Sequence, residues 1–139
     1  MSQYLNNKNH IGILLLRLFI GIRILYGVID NVFSWERMLE FSEFLAVYHF
    51  PIPVVSAVTS VTIQFIGSIL LLLGYKTRIA AFVLTLNFLI AILMVHLPSS
   101  DTFDGMTPAL AMFVGCLTLL FTGADKISID YRISGGNRS

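Results

Sequence analysis

Four long apolar runs constrain the fold of this chain more than any other feature. They cover about residues 11–29, 53–74, 78–97 and 107–122. A bilayer core of about 30 Å is crossed by roughly 20 residues of α-helix, whereas a lone strand would leave its backbone polar groups unsatisfied in lipid. The runs therefore predict an all-α protein, a bundle of four transmembrane helices.

The composition agrees with a membrane protein. Of 139 residues, 56% are hydrophobic and only 12% are charged, with a mean hydropathy of +0.82, whereas a soluble domain has about 25% charged residues. The net charge of +1 provides no basic surface for nucleic acid. The single cysteine, Cys116, excludes an internal disulfide. We expect one membrane domain over residues 1–139, in contact with the lipid bilayer.

Two features of the connections between spans carry predictions. Thr107-Pro108 is typical of a helix N-cap followed by proline at the first helical position, so the fourth span should begin there. The connection between the first two spans contains an amphipathic helix over about residues 34–48, too short to span a bilayer. Its apolar arc comprises Trp35, Met38, Leu39, Phe41, Leu45 and Ala46. We expect it on the membrane surface or capping the bundle, with or without a partner protein.

The distribution of basic residues predicts the orientation. If the N-terminus is cytoplasmic, the cytoplasmic segments hold Lys8, Lys76, Arg78, Lys126, Arg132 and Arg138, and the outer segments hold only Arg37. Lysine and arginine accumulate on the cytoplasmic side of membrane proteins. The sequence thus predicts that both termini are cytoplasmic.

Two arginines interrupt the first span. Arg17 lies about 9 Å into the span, and its side chain leans toward the N-terminus, so it can extend to the inner interface. Arg23 lies about 18 Å in, where a charge costs at least about 2.5 kcal/mol. We therefore expect neighbouring helices or a water-filled cavity, rather than hydrocarbon, to surround the guanidinium of Arg23.

Several residues are candidate partners of Arg23. Asp30 lies two turns further along on nearly the same helix face, and Gly27 between them leaves room for a ligand or another helix. The other spans contribute Gln64, Asn87 and His96. Two interpretations stay open. Arg23 ties the first span to the bundle through hydrogen bonds, or it donates to an anion or a quinone oxygen in an outward-facing pocket.

The histidines near the predicted outer face suggest a weaker possibility. His96 and His49, with Asp30, Asp101 and Asp104, could form a metal or proton-relay site. They lack the regular ligand spacing of metal motifs, and interfacial histidines more often bond to a carbonyl. We therefore predict no metal site.

Three segments, "LLRLFIGIRILYG", "QFIGSILLLLGYKTRIAAFVL" and "LMVHLP", followed by a final short span, resemble the DoxX family of small four-helix membrane proteins. The resemblance extends over about Leu14 to Ile129. The residues that match the family pattern are Arg17, Gly21 and Gly27 in the first span, Gly74 and Arg78 at the second hairpin, and His96 in the third span. We expect all of these except His96 to be structural.

The family's name derives from a subunit of a thiosulfate:quinone oxidoreductase, and some relatives are implicated in quinone or oxidative-stress responses. The resemblance therefore implies a bacterial cytoplasmic membrane protein that acts as an accessory subunit, with quinone as a non-covalent cofactor. Candidate ligand-binding residues are Arg23, Asp30, Gln64, Asn87 and His96. Two of them depart from the family, which often has glutamate at the position of Gln64 and lysine near that of Asp30.

Other functions remain open from the sequence. The chain has no metal-cluster motif, nucleotide-binding loop or thiol pair, so a membrane or periplasmic redox partner would have to supply electrons, and whether the chain is itself an enzyme is left open. The first alternative is a non-catalytic scaffold or assembly factor. The second is a small carrier, which would need a homo-oligomer because four spans leave little room for alternating access.

Overall fold

The computed structural model describes residues 8–135, and every regular element in that range is helical. The elements are α1 (Asn9–Phe33), α2 (Trp35–Val47), α3 (Pro53–Leu73), α4 (Thr77–Ala91) with a π-helical extension (Ile92–His96), α5 (Phe103–Thr122) and α6 (Ile129–Ile133). The four long helices run up and down, so one end of the bundle carries α2 and the α4–α5 loop. We call this the α2 end, and the opposite end the α6 end.

Four helices are long and apolar enough to cross a membrane: α1, α3, α4 with its extension, and α5. The predicted all-α fold with four spans is confirmed. Helix α1 is longer than its apolar run and ends only at Ser34, whose hydroxyl accepts a hydrogen bond from the Arg37 N–H at 3.4 Å. Ser34 is therefore the N-cap of α2, and α2 follows α1 without a loop.

The predicted start of the fourth span at Thr107-Pro108 is wrong. Helix α5 begins at Phe103, and its N-cap is Thr102, whose Oγ1 accepts from the Gly105 N–H at 3.2 Å. Pro108 lies inside the helix. The hydrogen bond that proline removes and the carbonyl that its ring crowds both involve the residue four positions earlier, here Asp104 in the exposed first turn of the helix. The helix tolerates it there.

Small residues bring the helices of the main core together. Helix α1 packs most extensively on α3, and α4 on α5. A Cβ on Gly21 would lie 2.9 Å from the Leu72 side chain, and one on Gly67 would lie 2.9 Å from Leu84. Such close approach lets dispersion contacts stabilise helix pairs in lipid. The fully buried members of this core are Ile20, Leu71, Ala81, Leu84, Cys116 and Leu119.

Helix α2 covers the α2 end of the bundle. Met38 and Leu45 pack with Val28, Ala57 and Val61 in a second core cluster. The apolar arc expected of α2 is only partly used for this packing. Trp35 and Leu39 are exposed, the former at 59%, as expected of an amphipathic helix at a lipid interface.

Arg17 is buried at the α6 end of the bundle. Only 2% of its side chain is exposed; its Nη2 lies 3.1 Å from the Asp125 Oδ2 and donates to the Ile127 carbonyl at 2.8 Å. The expectation that Arg17 extends to the aqueous interface is therefore wrong. The guanidinium is instead neutralised inside the protein by a carboxylate from the segment that follows α5.

The turn between α3 and α4 is fitted around the same arginine. Gly74 has φ +66°, and a Cβ there would overlap the Nη1 of Arg17, so both its conformation and the available space require glycine. The Asp130 carboxylate accepts the backbone N–H groups of Lys76 (2.7 Å) and Thr77 (2.9 Å) and so caps α4. The chain from Asp125 to Asp130, which leads into α6, thereby connects α1 to the α3–α4 turn.

Arg78, another of the residues that match the family pattern, is exposed at the start of α4. Its Nη2 donates to the Phe121 carbonyl at 3.4 Å, and its Nε lies 2.9 Å from where a Cβ on Gly123 would be. Arg78 therefore contacts the last turn of α5 while its charge stays accessible to the interface.

Candidate ligand-binding site

A cavity of about 1100 Å³ lies in the half of the bundle nearer the α2 end, with walls from all four spans and from α2. Much of its surface is apolar, with aromatic rings that include Phe41, Phe44, Phe50 and Phe88. Its polar lining residues are Arg23, Ser56, Thr59, Ser60, Gln64, Asn87 and His96. An apolar cavity with a few convergent polar groups is the usual form of a small-molecule site.

The structure brings together four of the five predicted ligand-binding residues. Arg23, Gln64, Asn87 and His96 all line the cavity, although they come from three different spans. Asp30 is exposed near the end of α1 and is not among the lining residues. The candidate site therefore contains the arginine, both amides and the histidine.

The Arg23 side chain extends toward the α2 end. Its Nη1 lies 3.3 Å from where a Cβ on Gly27 would be, so the space left by this glycine is occupied by the guanidinium itself rather than by another helix. Arg23 is exposed at the cavity edge, and among residues 8–135 its guanidinium has no hydrogen-bond or ion-pair partner. Its donors are free for a ligand in the cavity.

The predicted pairing of Arg23 with Asp30 does not occur. The guanidinium reaches Gly27, one helical turn on, and Asp30 lies about 4.5 Å further along the axis. The Asp30 backbone carbonyl instead accepts from the Ser34 N–H at 2.9 Å at the end of α1. Asp30 therefore contributes to the junction between α1 and α2.

A short chain of side-chain hydrogen bonds crosses the cavity wall between α3 and α4. The Gln64 Nε2 donates to the Ser60 Oγ at 3.1 Å, and the Ser60 hydroxyl donates to the Asn87 Oδ1 at 2.9 Å. The two amides are therefore connected across the helices through a serine. Within the part of the chain that the structure describes, the Asn87 amide nitrogen and the Gln64 carbonyl oxygen keep unused hydrogen-bonding capacity.

His96 is held by a carboxylate at the α2 end. It is the last residue of the π-helical extension of α4, a type of distortion often found at functional sites. Its Nδ1 lies 2.8 Å from the Asp101 Oδ2. A carboxylate in this position favours the tautomer with the proton on Nδ1, which leaves Nε2 to accept or exchange a proton.

The sequence interpretation missed Ser60 and treated Asp101 as only one of several carboxylates. A signal for Ser60 was present, since Ser56, Ser60 and Gln64 recur every fourth residue and so share one face of α3. The five-residue separation of His96 from Asp101 carried no comparable signal, because their contact depends on the π-helical turn and the loop after it.

The side chains around the cavity suit the binding of a small molecule. Over residues 8–135 no group of three or more His, Cys, Asp or Glu side chains could hold a metal ion. The cavity offers a cationic donor at Arg23, amide groups on α3 and α4, and an imidazole at His96 that can exchange a proton. A molecule with an apolar body and one or two carbonyl or anionic oxygens matches this lining.

Comparison with known proteins identifies the family. The DoxX family model matches residues 12–97, which include the first three spans and the candidate site residues on them. The fourth span lies outside the matched residues. No curated protein and no solved structure matches the chain. Since the match covers more than half of the 139 residues, and since four helices suited to span a membrane surround the site, the chain belongs to the DoxX family of membrane proteins.

Proposed function

We propose that this protein is an accessory subunit of a quinone-linked membrane oxidoreductase or oxidative-stress system and that the cavity between its helices binds a quinone. One observation carries the proposal. A cavity of about 1100 Å³ combines apolar and aromatic walls with an arginine that has no partner among the described residues. A charged donor at this depth is costly in hydrocarbon and so marks a pathway or site for a polar or anionic group.

The residues present fit a quinone. Its two carbonyl oxygens need hydrogen-bond donors, and its isoprenoid tail needs apolar surface; when bound, it supplies a two-electron, two-proton couple. Arg23 and Asn87 provide donors within the lining, and the phenylalanines provide ring and tail contacts. The guanidinium stabilises negative charge on an oxygen that it contacts, because the cavity is largely apolar and screens charge weakly.

The proton exchange that such a ligand needs falls to His96. The lining contains no carboxylate among the described residues, since Gln64 stands where the family often has glutamate and Asp30 lies outside the cavity. The Asp101 carboxylate accepts from the imidazole Nδ1 and so fixes the orientation of the ring. His96 can therefore pass a proton between the cavity and the α2 end.

Electrons must come from another protein under this proposal, because the sequence has no cluster motif, nucleotide-binding loop or thiol pair. A membrane or periplasmic dehydrogenase partner at the α2 end would be nearest to the cavity.

Equilibrium binding of a short-chain quinone to the purified full-length protein tests the proposal. We expect saturable binding by the wild type and roughly ten- to 150-fold weaker binding by Arg23→Gln, because loss of a charge-assisted hydrogen bond costs about 1.5–3 kcal/mol. The matched control is Arg37→Gln, which removes an exposed arginine of α2 that does not line the cavity. Absence of saturable binding by the wild type, or equal weakening in both variants, would show that the quinone assignment is wrong.

We also propose that the protein lies in a bacterial cytoplasmic membrane with both termini in the cytoplasm, supported by the excess of lysine and arginine at the α6 end. A green fluorescent protein fused at the C-terminus should then fluoresce, and alkaline phosphatase at the same position should be inactive. A fusion after Asp101 should give the opposite pattern. An active phosphatase at the C-terminus would reverse the proposed orientation.

A scaffold is the second candidate, favoured by the exposed apolar face of α2. Trp35 and Leu39, on its apolar arc, are 59% and 38% exposed, so this helix could dock on another membrane protein as well as on lipid. Crosslinking from Trp35 to one stable protein partner, together with no quinone binding, would favour the scaffold over the redox role.

A further inference from the structure

A second cavity, of about 580 Å³, lies at the α6 end of the bundle, at the opposite end from the proposed quinone site. Its walls come from the start of α1, the start of α4, the segment after α5, and α6. It differs from the larger cavity in the charge of the residues that line it. Three cationic side chains, Lys76, Arg78 and Lys126, line it together with His10.

The carboxylates of this cavity are already engaged. Asp125 is paired with the buried Arg17, and Asp130 accepts two backbone N–H groups at the start of α4. Within residues 8–135, none of the three cations forms an ion pair with a carboxylate. The three cations outnumber Asp130, the one lining carboxylate that is not paired with an arginine, so the cavity carries a net positive charge that can attract an anion.

An exposed apolar stripe leads away from the cavity along α4. Ile79, which lines the cavity, is 62% exposed, and Phe82 and Leu86 continue the same helix face at 49% and 43% exposure, with Leu86 also at the edge of the larger cavity. A membrane-spanning helix presents such a face to acyl chains. The cationic cavity and the apolar stripe together suit the chemistry of a phospholipid, with its headgroup in the cavity and its chains along the helix.

We propose that this cavity is a binding site for the phosphate headgroup of an anionic phospholipid from the adjacent leaflet. Lys126 and Lys76 lie beside the headgroup as flexible point charges, and Arg78, oriented by its bond to the Phe121 carbonyl, offers the planar fork that suits phosphate. Basic pockets between transmembrane helices bind anionic headgroups in this way. The apolar stripe favours a lipid over free phosphate, because free phosphate has no acyl chains to pack against it.

Native mass spectrometry of the detergent-solubilised full chain, titrated with single lipids, tests the site. We expect phosphatidylglycerol to bind at least about tenfold more tightly than zwitterionic phosphatidylcholine, and Lys126→Gln or Lys76→Gln each to weaken phosphatidylglycerol binding about fivefold. Both lysines are exposed, so these variants should fold normally. Arg78→Gln should have a similar effect.

The matched control is Arg132→Gln, since Arg132 is an exposed cation on α6 that does not line the cavity. It should leave lipid affinity unchanged, as should Arg23→Gln at the other cavity. Equal binding of phosphatidylcholine, or equal weakening by Arg132→Gln and Lys126→Gln, would overturn the site in favour of diffuse surface charge. Displacement of phosphatidylglycerol by an equimolar amount of inorganic phosphate would overturn the lipid assignment in favour of free phosphate.

Discussion

Replacing Asp125 with alanine is expected to lower the free energy of unfolding by about 3–5 kcal/mol, the largest effect of any single substitution considered for this chain. The side chains of Arg17 and Asp125 are 2% and 0% exposed, and their charged atoms lie 3.1 Å apart. Removing the carboxylate leaves a buried guanidinium with only the Ile127 carbonyl as an acceptor. An uncompensated charge in the interior costs far more than the pair itself contributes.

Unfolding of the purified protein in mixed detergent micelles, followed by circular dichroism, measures this loss. The matched control is Glu40→Ala, which breaks the Arg37–Glu40 pair at the same 3.1 Å separation, but with side chains 63% and 56% exposed. That loss should be less than about 1 kcal/mol. Equal losses for the two variants would contradict the buried position of the Arg17–Asp125 pair. The double variant Arg17→Met, Asp125→Leu should recover most of the stability, because no charge is then left unpaired.

The second large effect is expected from Ala91→Trp, which should abolish saturable quinone binding. Ala91 lines the cavity where α4 passes into its π-helical extension. An indole at this position occupies space that the ligand needs, between the Asn87 amide and His96. Because the side chain enters an existing cavity rather than a packed core, the free energy of unfolding should change little.

The same quinone titration as for Arg23→Gln measures this effect. Ala46→Trp is the matched control, since Ala46 is exposed on α2 and does not line the cavity; its binding should equal that of the wild type. Undiminished binding by Ala91→Trp would place the ligand outside the cavity, and loss of binding in both variants would point to a general effect of added apolar surface.

The helices of the fold could be predicted from sequence because hydropathy and length act locally. Each span needs only enough consecutive apolar residues to cross the bilayer, and the amphipathic period of α2 is contained within its own 13 residues. The same local reasoning misplaced the start of α5. Thr102 and Thr107 are both acceptable N-caps, and the apolar run does not show which one the helix uses.

The environment of Arg17 could not be predicted, because its partners are distant in sequence. Arg17 and Ile127, which share a hydrogen bond, are separated by 110 residues. The segment after α5 has no periodicity that would place Asp125 beside α1, and a short connection of this kind is determined by tertiary packing. The sequence identified Gly74 as a hairpin glycine, but it gave no sign that Gly74 would lie against the Arg17 guanidinium.

The residues of the candidate site could be predicted from the sequence better than their arrangement. Charged and amide side chains within apolar spans avoid hydrocarbon, which was enough to select Arg23, Gln64, Asn87 and His96. Whether they share one cavity depends on helix rotation and on the π-helical turn, which changes the register of α4 before His96. The Arg23 guanidinium occupies the space beside Gly27. Because this side-chain position could not be predicted from the sequence, the expected contact between Arg23 and Asp30 was wrong.

A crystal structure of the full-length protein grown from a lipidic mesophase in the presence of decylubiquinone tests the central claim most directly. The account predicts ring-shaped density in the cavity between α1, α3 and α4, with an oxygen within hydrogen-bonding distance of the Arg23 guanidinium and the tail against the aromatic wall. A cavity closed by side chains, or Arg23 directed at acyl chains with no polar group beside it, would contradict the account.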